Sequence, residues 1–182
     1  NVGGLTYDLG IRRDNRNNDF GATGSLFYVA NRAEIQLQHN YFDTANLNGP
    51  REQISRAVIG SGLVFADGKI GLSRPVQDGF AIVDRHPTLR GKTGEVDPTK
   101  FGPRATTDLF GAAVVPDLQS YIPSALYVNV DDLPPGYSLG TGQFVLKAPL
   151  YSGYRLEVGS GASFTVLAKT RYADTGEPVA LI

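Results

Sequence analysis

The chain of 182 residues contains no cysteine, no methionine and no tryptophan, and its only histidines are His39 and His86. The lack of cysteine excludes disulfide bonds, thiolate catalysis and cysteine-based metal sites. Two histidines cannot build a histidine-rich metal centre, and neither lies in a HExxH frame. We therefore expect no metal site and no cofactor.

An excess of charge of one sign is also lacking, because 17 basic residues oppose 18 acidic ones. This balance lacks the basic footprint of a nucleic-acid-binding protein, so we expect no nucleic-acid partner. No run approaches the ~18–20 apolar residues of a transmembrane helix. The chain also lacks an initiator methionine and an N-terminal signal segment, and it ends in a strand-like run. We expect it to be a fragment of a longer polypeptide.

Alternating side chains dominate the first third of the sequence. One face of the third predicted strand carries Glu34, Gln36, Gln38 and Asn40, and the opposite face is apolar except for His39, which we expect at a strand end or on the surface. A long strand is predicted over 53–65, with Arg56 on its polar face. The pair Asp67-Gly68 predicts a type I′ hairpin turn. The predicted apolar positions of these strands are Leu5, Tyr7, Leu9, Ile11, Ala22, Leu26, Tyr28, Ala33, Ile35, Leu37, Tyr41, Ala57, Ile59, Leu63 and Phe65.

Residues 1–75 are therefore predicted to form five antiparallel strands of one curved sheet. Strands of roughly ten residues are typical of transmembrane β-barrels. Aromatic residues near the predicted strand ends resemble interfacial girdles: Phe20, Tyr41, Phe42 and Phe65. A one-sided soluble β-sandwich shows the same alternation and stays open as an interpretation at this point.

The pattern changes after Pro75, where prolines become frequent and short apolar runs alternate with turn residues. This sequence pattern predicts a small β-sandwich domain over 76–160. The start of a second domain is predicted over 161–182, with a strand from Ser163 to Ala168. The predicted fold class is all-β: a partial antiparallel transmembrane β-barrel sheet followed by a small β-sandwich domain.

Motifs that carry catalysis are incomplete. Gly91-Lys92-Thr93 ends like a phosphate-binding loop, but His86 stands where the first glycine is needed. The two Gly-Ser-Gly triplets, at 60–62 and 159–161, lack the spacing of a nucleophile elbow. The adjacent Asp131 and Asp132 would point to opposite faces of a strand. We expect no catalytic residues and no enzymatic activity.

Two ordered motifs resemble the outer-membrane usher proteins of the chaperone–usher pathway for fimbriae. Residues 71–83 read GLSRPVQDGFAIV and resemble the family passage SxPxxDxxAxV. Residues 107–121 read TDLFGAAVVPDLQSY and match the family segment TDxxGxAVxPxLxxY at every fixed position. Weaker similarity follows at 128–134, at 159–161 and at 176–179. The resemblance covers about 71–182, whereas residues 1–70 agree only in their barrel-like pattern.

The resemblance implies a protein of the bacterial outer membrane whose C-terminal part lies in the periplasm. Its partners would be periplasmic chaperone–pilus subunit complexes and outer-membrane lipid, and it would assemble and secrete pili through its barrel pore. The apolar strand faces would then meet lipid, and the lumen-facing residues would be Glu34, Gln36, Gln38, Asn40 and Arg56. Two other interpretations stay open: a soluble β-sandwich adhesin or carbohydrate-binding module, and a fragment of an ordinary outer-membrane porin.

Overall fold

A computed structural model describes residues 1–16, 19–44, 51–133, 137, 139–161, 171–172 and 174–177. Within this part the protein is all-β, with thirteen strands and a single 3₁₀ turn at Pro87–Leu89. The strands are β1 (Leu5–Asp14), β2 (Asp19–Val29), β3 (Glu34–Thr44), β4 (Glu52–Gly60), β5 (Gly62–Ala66), β6 (Lys69–Ser73), β7 (Gly79–Arg85), β8 (Gly94–Val96), β9 (Ala105–Thr106), β10 (Ala113–Leu118), β11 (Ser124–Val130), β12 (Gln143–Leu146) and β13 (Gly153–Val158).

The first sheet is an open antiparallel meander in the order β1-β2-β3-β4. Its strands contain 10, 11, 11 and 9 residues, and their registers run without a break from one end to the other. The period-two alternation explains this regularity, since a slip by one residue would exchange the two faces of a strand. The predicted all-β class is therefore confirmed.

The prediction of five strands in one sheet over 1–75 is wrong. The strand expected over 53–65 stops at Gly60, and β5 and β6 form a separate two-stranded sheet. Ser61 marks the break: its hydroxyl donates to the carbonyl oxygens of Arg32 and Ser73, at 3.0 and 3.1 Å. The predicted hairpin turn at Asp67-Gly68 is present, with φ values of 46° and 74°.

Packing explains why the β5–β6 hairpin leaves the first sheet. Its inner side chains, Val64 and Ala66, form a buried cluster with Phe80 and Ile82 of β7 and with Val114 of β10. Contact with Val114 is close, because a Cβ placed at Gly71 of β6 would lie 2.6 Å from its Cγ2. The hairpin gains more from covering these residues than from extending an exposed sheet.

Strands β7–β13, here called the C-terminal unit, form two further sheets in the orders β10-β7-β13 and β12-β11-β8-β9. The pairing is antiparallel except between β7 and β13, which are parallel. Both sheets contribute to one buried cluster: Ala81, Val83, Leu89, Val96, Ala105, Ala113, Val115, Leu118, Leu126, Val128, Val130, Leu146, Ala148, Leu156 and Val158. This cluster is the main core of the described chain.

The predicted domain boundary at residue 76 stays a prediction, and the strand predicted from Ser163 to Ala168 lies outside the described residues. Among the residues that are described, no helix has the length and apolar character needed to cross a membrane.

Candidate functional site

The first sheet separates apolar from polar side chains. Strand register places Leu26 opposite both Tyr7 and Leu37, and Leu37 opposite Ala57, so these four side chains share one face. The full apolar face contains Leu5, Tyr7, Leu9, Ile11, Phe20, Ala22, Leu26, Tyr28, Ile35, Leu37, Tyr41, Ala57 and Ile59. Leu9 and Ile11 are 79% and 80% exposed. An apolar sheet face of this extent requires a cover of lipid or protein.

The apolar face has a defined length along the strands. From Leu5 to Ile11 it runs along seven residues of β1, which corresponds to about 20–24 Å at ~3.4 Å per residue. Aromatic rings lie at both ends: Tyr28 lies near the start of β3, and Phe20 and Tyr41 approach to 6.2 Å between ring centroids at the far end. The lipid-facing band of a transmembrane barrel is likewise flanked by aromatic residues at both of its ends.

The opposite face is mainly polar and brings together the five residues predicted to line a lumen. Glu34, Gln36, Gln38 and Asn40 follow one another along β3, and Arg56 lies directly opposite Gln38 on β4. Their assignment to a lumen stays a prediction. The alternation in the sequence was sufficient to group them, because residues i, i+2 and i+4 of a strand share a face.

The polar face also contains residues that the predicted set omits. Asp8 of β1 lies in the same row as Gln38, separated from it by Ser25 of β2. Phe42 was predicted in an aromatic girdle, but it lies on the polar face, where its ring covers Gly21 at 3.4 Å from the position of a Cβ. Other apolar side chains on this face are Phe27, Val29, Ile54 and Val58.

His39 interrupts the apolar face in the middle of β3 rather than at a strand end. Its Nδ1 lies 2.9 Å from Ser55 Oγ, and its Nε2 lies 3.4 Å from Gln53 Nε2. This exposed polar group borders a depression of about 580 Å³ whose lining includes Leu9, Gly24 and Leu37. The expectation of a surface histidine is met, but its position at mid-height of the apolar face was not predicted.

A buried arginine joins the first sheet to the C-terminal unit. Arg32, in the turn between β2 and β3, is 9% exposed. Its Nε lies 2.8 Å from Asp108 Oδ2, and its Nη2 lies 2.5 Å from Asp108 Oδ1. Nη1 donates to the carbonyl oxygen of Leu72 at 2.6 Å, and Nη2 donates to that of Ala112 at 3.1 Å. The guanidinium therefore ties three segments together: the β2–β3 turn, strand β6 and the segment before β10.

Asn31 reinforces this junction. Its Nδ2 donates to Asp108 Oδ2 at 2.9 Å and to the carbonyl oxygen of Thr106 at 2.8 Å, while its Oδ1 accepts from the Thr106 amide at 3.0 Å. Partial burial raises the pKa of Asp108, but hydrogen bonds from Arg32, Asn31 and the Phe110 amide outweigh burial and leave this pKa below its usual value. The junction was missed by sequence reasoning, although Asp108 belongs to one of the quoted motifs.

Four other motif residues serve the fold. Asp78 accepts hydrogen bonds from the hydroxyl and the amide of Ser120, and these bonds lower the pKa of its carboxyl. Gly111 has a φ of 116°, a value that L-residues rarely adopt. Val114 and Val115 are buried. These residues thus stabilise the C-terminal unit and its junction.

In the ranges that the structure describes, no three His, Asp or Glu side chains are grouped closely enough to hold a metal ion. Asp131 and Asp132 lie in the turn after β11, where Asp132 has a φ of 53°. No protein-family model and no curated protein sequence matches this chain.

Proposed function

We propose that this chain is part of an outer-membrane usher that receives chaperone–subunit complexes and assembles pili through a barrel pore. Strands β1–β4 would be its last barrel strands, and the C-terminal unit would be a periplasmic β-sandwich. The observation that carries the proposal is the separation of apolar and polar side chains across four long strands, followed after one hairpin by a unit with its own core.

Strand length supports a membrane position for the first sheet. Its strands contain 9 to 11 residues, the length that crosses a bilayer at a tilt of ~45°. The apolar face then meets lipid, and the face with Glu34, Gln38 and Arg56 lines a wet lumen. A soluble adhesin or carbohydrate-binding module would leave the apolar face uncovered in water, which makes it the weaker interpretation.

The C-terminal unit supports the periplasmic part of the proposal. Its two sheets pack their buried side chains into one cluster, as the layers of a β-sandwich do. Because the junction holds Arg32 against Asp108, the unit occupies a fixed place at the end of the strands. A subunit complex bound to it would be delivered to the pore mouth in one orientation. This arrangement requires positioning of the partner and no catalytic group.

Exposed side chains on the outer face of β11 and β12 are the candidates for partner contact. Tyr127 and Val145 are 54% and 67% exposed and lie on adjacent paired strands. Their register partners, Gln143 and Ala125, extend the same surface, and Gln143 Nε2 lies 3.3 Å from the Tyr127 hydroxyl. A mixed apolar and polar patch of this kind suits a transient protein partner.

Truncation of the full-length protein after Ser61 tests the proposal. It removes the hairpin and the C-terminal unit but leaves β1–β4 intact, so we expect the barrel to insert and surface pili to be absent. A point variant, Tyr127→Glu, should insert normally and lose co-purification with chaperone–subunit complexes. Glu157→Gln, a change on an exposed side chain of β13, serves as the control. Normal pilus numbers with the truncated protein would refute the assembly role.

A further inference from the structure

The outward face of the β5–β6 hairpin is an uncharged apolar patch. Register pairs Leu63 with Leu72 and Phe65 with Ile70, so the four side chains form two adjacent cross-strand pairs. They are 75%, 40%, 66% and 63% exposed, respectively. Every outward position of both strands is apolar, whereas the inward-facing Val64 and Ala66 are buried on the C-terminal unit.

The patch lies at the end of the first sheet where β3 begins. Leu72 accepts a hydrogen bond from Arg32 Nη1, and Arg32 belongs to the turn that leads into β3. Strand β4 ends one residue before Ser61, whose hydroxyl bonds to the carbonyl oxygens of Arg32 and Ser73. The hairpin is thus held against the sheet end by hydrogen bonds to two carbonyl oxygens of β6.

The orientation of the patch follows from two glycines. A Cβ at Gly60 would lie 2.8 Å from Pro75 Cγ, and a Cβ at Gly62 would lie 2.9 Å from the Arg74 carbonyl oxygen. Both positions therefore face the segment at 74–75. Since strand side chains alternate, Leu63 points away from this segment, to the side on which Ile59 of the apolar face lies. The apolar surface continues past the end of the sheet.

We propose that the outward face of this hairpin is a lipid anchor that rests in the headgroup region of the bilayer. This inference rests on the proposed function, in which the apolar face of β1–β4 meets the hydrocarbon. Because the apolar face ends here beside Tyr28, and aromatic residues flank the lipid-facing band of a transmembrane barrel, the hairpin beyond it lies at the level of the interface. Exposed Phe and Leu side chains enter this region favourably.

An anchor at this place has a mechanical consequence. The outward side chains hold lipid while the inner ones, Val64 and Ala66, pack against Phe80, Ile82 and Val114 of the C-terminal unit. The hairpin therefore holds the C-terminal unit against the membrane surface. The Arg32–Asp108 pair fixes the orientation of that unit relative to the end of the first sheet.

The test places an encoded fluorescent amino acid at single positions of the full-length protein reconstituted in phosphatidylethanolamine–phosphatidylglycerol vesicles that contain brominated phospholipid. The positions are Phe65 for the anchor, Leu9 for the apolar face and Tyr127 as the exposed control of similar size. We expect the brominated lipid to remove about half of the fluorescence at positions 9 and 65 and almost none at position 127.

Quenching at position 9 without quenching at position 65 would overturn the anchor and leave the membrane sheet in place. Absence of quenching at position 9 would overturn the membrane position of the sheet itself, and with it the proposed function. Ile70 provides a second reporter on the same outward face and should behave like position 65. Quenching at positions 65 and 70 should persist when chaperone or subunit is added. If the added protein abolishes quenching at both positions, it covers the hairpin, and this outcome also counts against the anchor.

Discussion

Replacement of Asp108 by asparagine is expected to loosen the junction between the two parts of the chain. The carboxylate accepts hydrogen bonds from Arg32 Nε and Nη2, from Asn31 Nδ2 and from the Phe110 amide. Asparagine has nearly the same shape but lacks the charge and one acceptor oxygen. The guanidinium of Arg32 would stay buried without its counter-ion, which is costly.

The magnitude follows from the burial of the pair. Removal of one partner from a fully buried ion pair costs about 3–5 kcal/mol. The Arg32 side chain is 10% exposed and that of Asp108 is 31% exposed, so water screens part of the interaction. The carbonyl oxygens of Leu72 and Ala112 also remain as acceptors for Arg32. We therefore expect Asp108→Asn to lower the free energy of opening by about 2 kcal/mol.

The effect should depend on pH in a defined direction. Because the pKa of Asp108 is lower in the folded protein than in the unfolded chain, its contribution to stability is present above the unfolded value of ~3.9 and is lost as the pH falls through the folded value. The stability difference between the native protein and Asp108→Asn should be largest above about pH 5 and should shrink below about pH 4.

Hydrogen exchange of the segment 105–111 measures this effect, since the Thr106 and Phe110 amides donate into the junction. The matched control is Asp117→Asn, which removes a carboxylate that is 57% exposed and pairs with Arg104 Nε at 3.0 Å. It should cost no more than about 0.5 kcal/mol. Equal effects of the two substitutions at pH 7, or a difference that persists unchanged at pH 3.5, would refute the reasoning.

Three further predictions concern the two faces, the motif and the core. Leu37→Asp should impair membrane assembly of the full-length protein, because a charge on the lipid face destabilises the inserted barrel by about 2 kcal/mol. Gln36→Asp on the opposite face should be tolerated, and heat-modifiability in electrophoresis distinguishes the two variants. Gly111→Ala should destabilise the C-terminal unit by about 1–3 kcal/mol through backbone strain alone, because no atom lies within 4 Å of the new Cβ; thermal unfolding checks it. Leu126→Ala should lower the free energy of unfolding by about 2–5 kcal/mol, because it opens a cavity in the core. Tyr127→Ala, at the exposed neighbouring position, should lower it by less than about 1 kcal/mol, and chemical denaturation measures both.

The alternating pattern was sufficient to predict the faces of the first sheet. Leu37 and Gln36 were assigned to opposite faces from their order alone, and the registers place them so. Asp67-Gly68 likewise predicted its turn, since both residues tolerate a positive φ. These features depend on neighbours within a few residues, and such information is local in the sequence.

The end of the sheet at Ser61 and the junction at Arg32 were decided by the tertiary structure. The sequence pattern favours one strand over 53–65, yet the hairpin separates because its inner side chains find partners on β7 and β10. Arg32 meets Asp108 across 76 positions of the chain. Local periodicity carries no information about such distant partners, and the burial that makes their contact strong exists only after the sheets have packed.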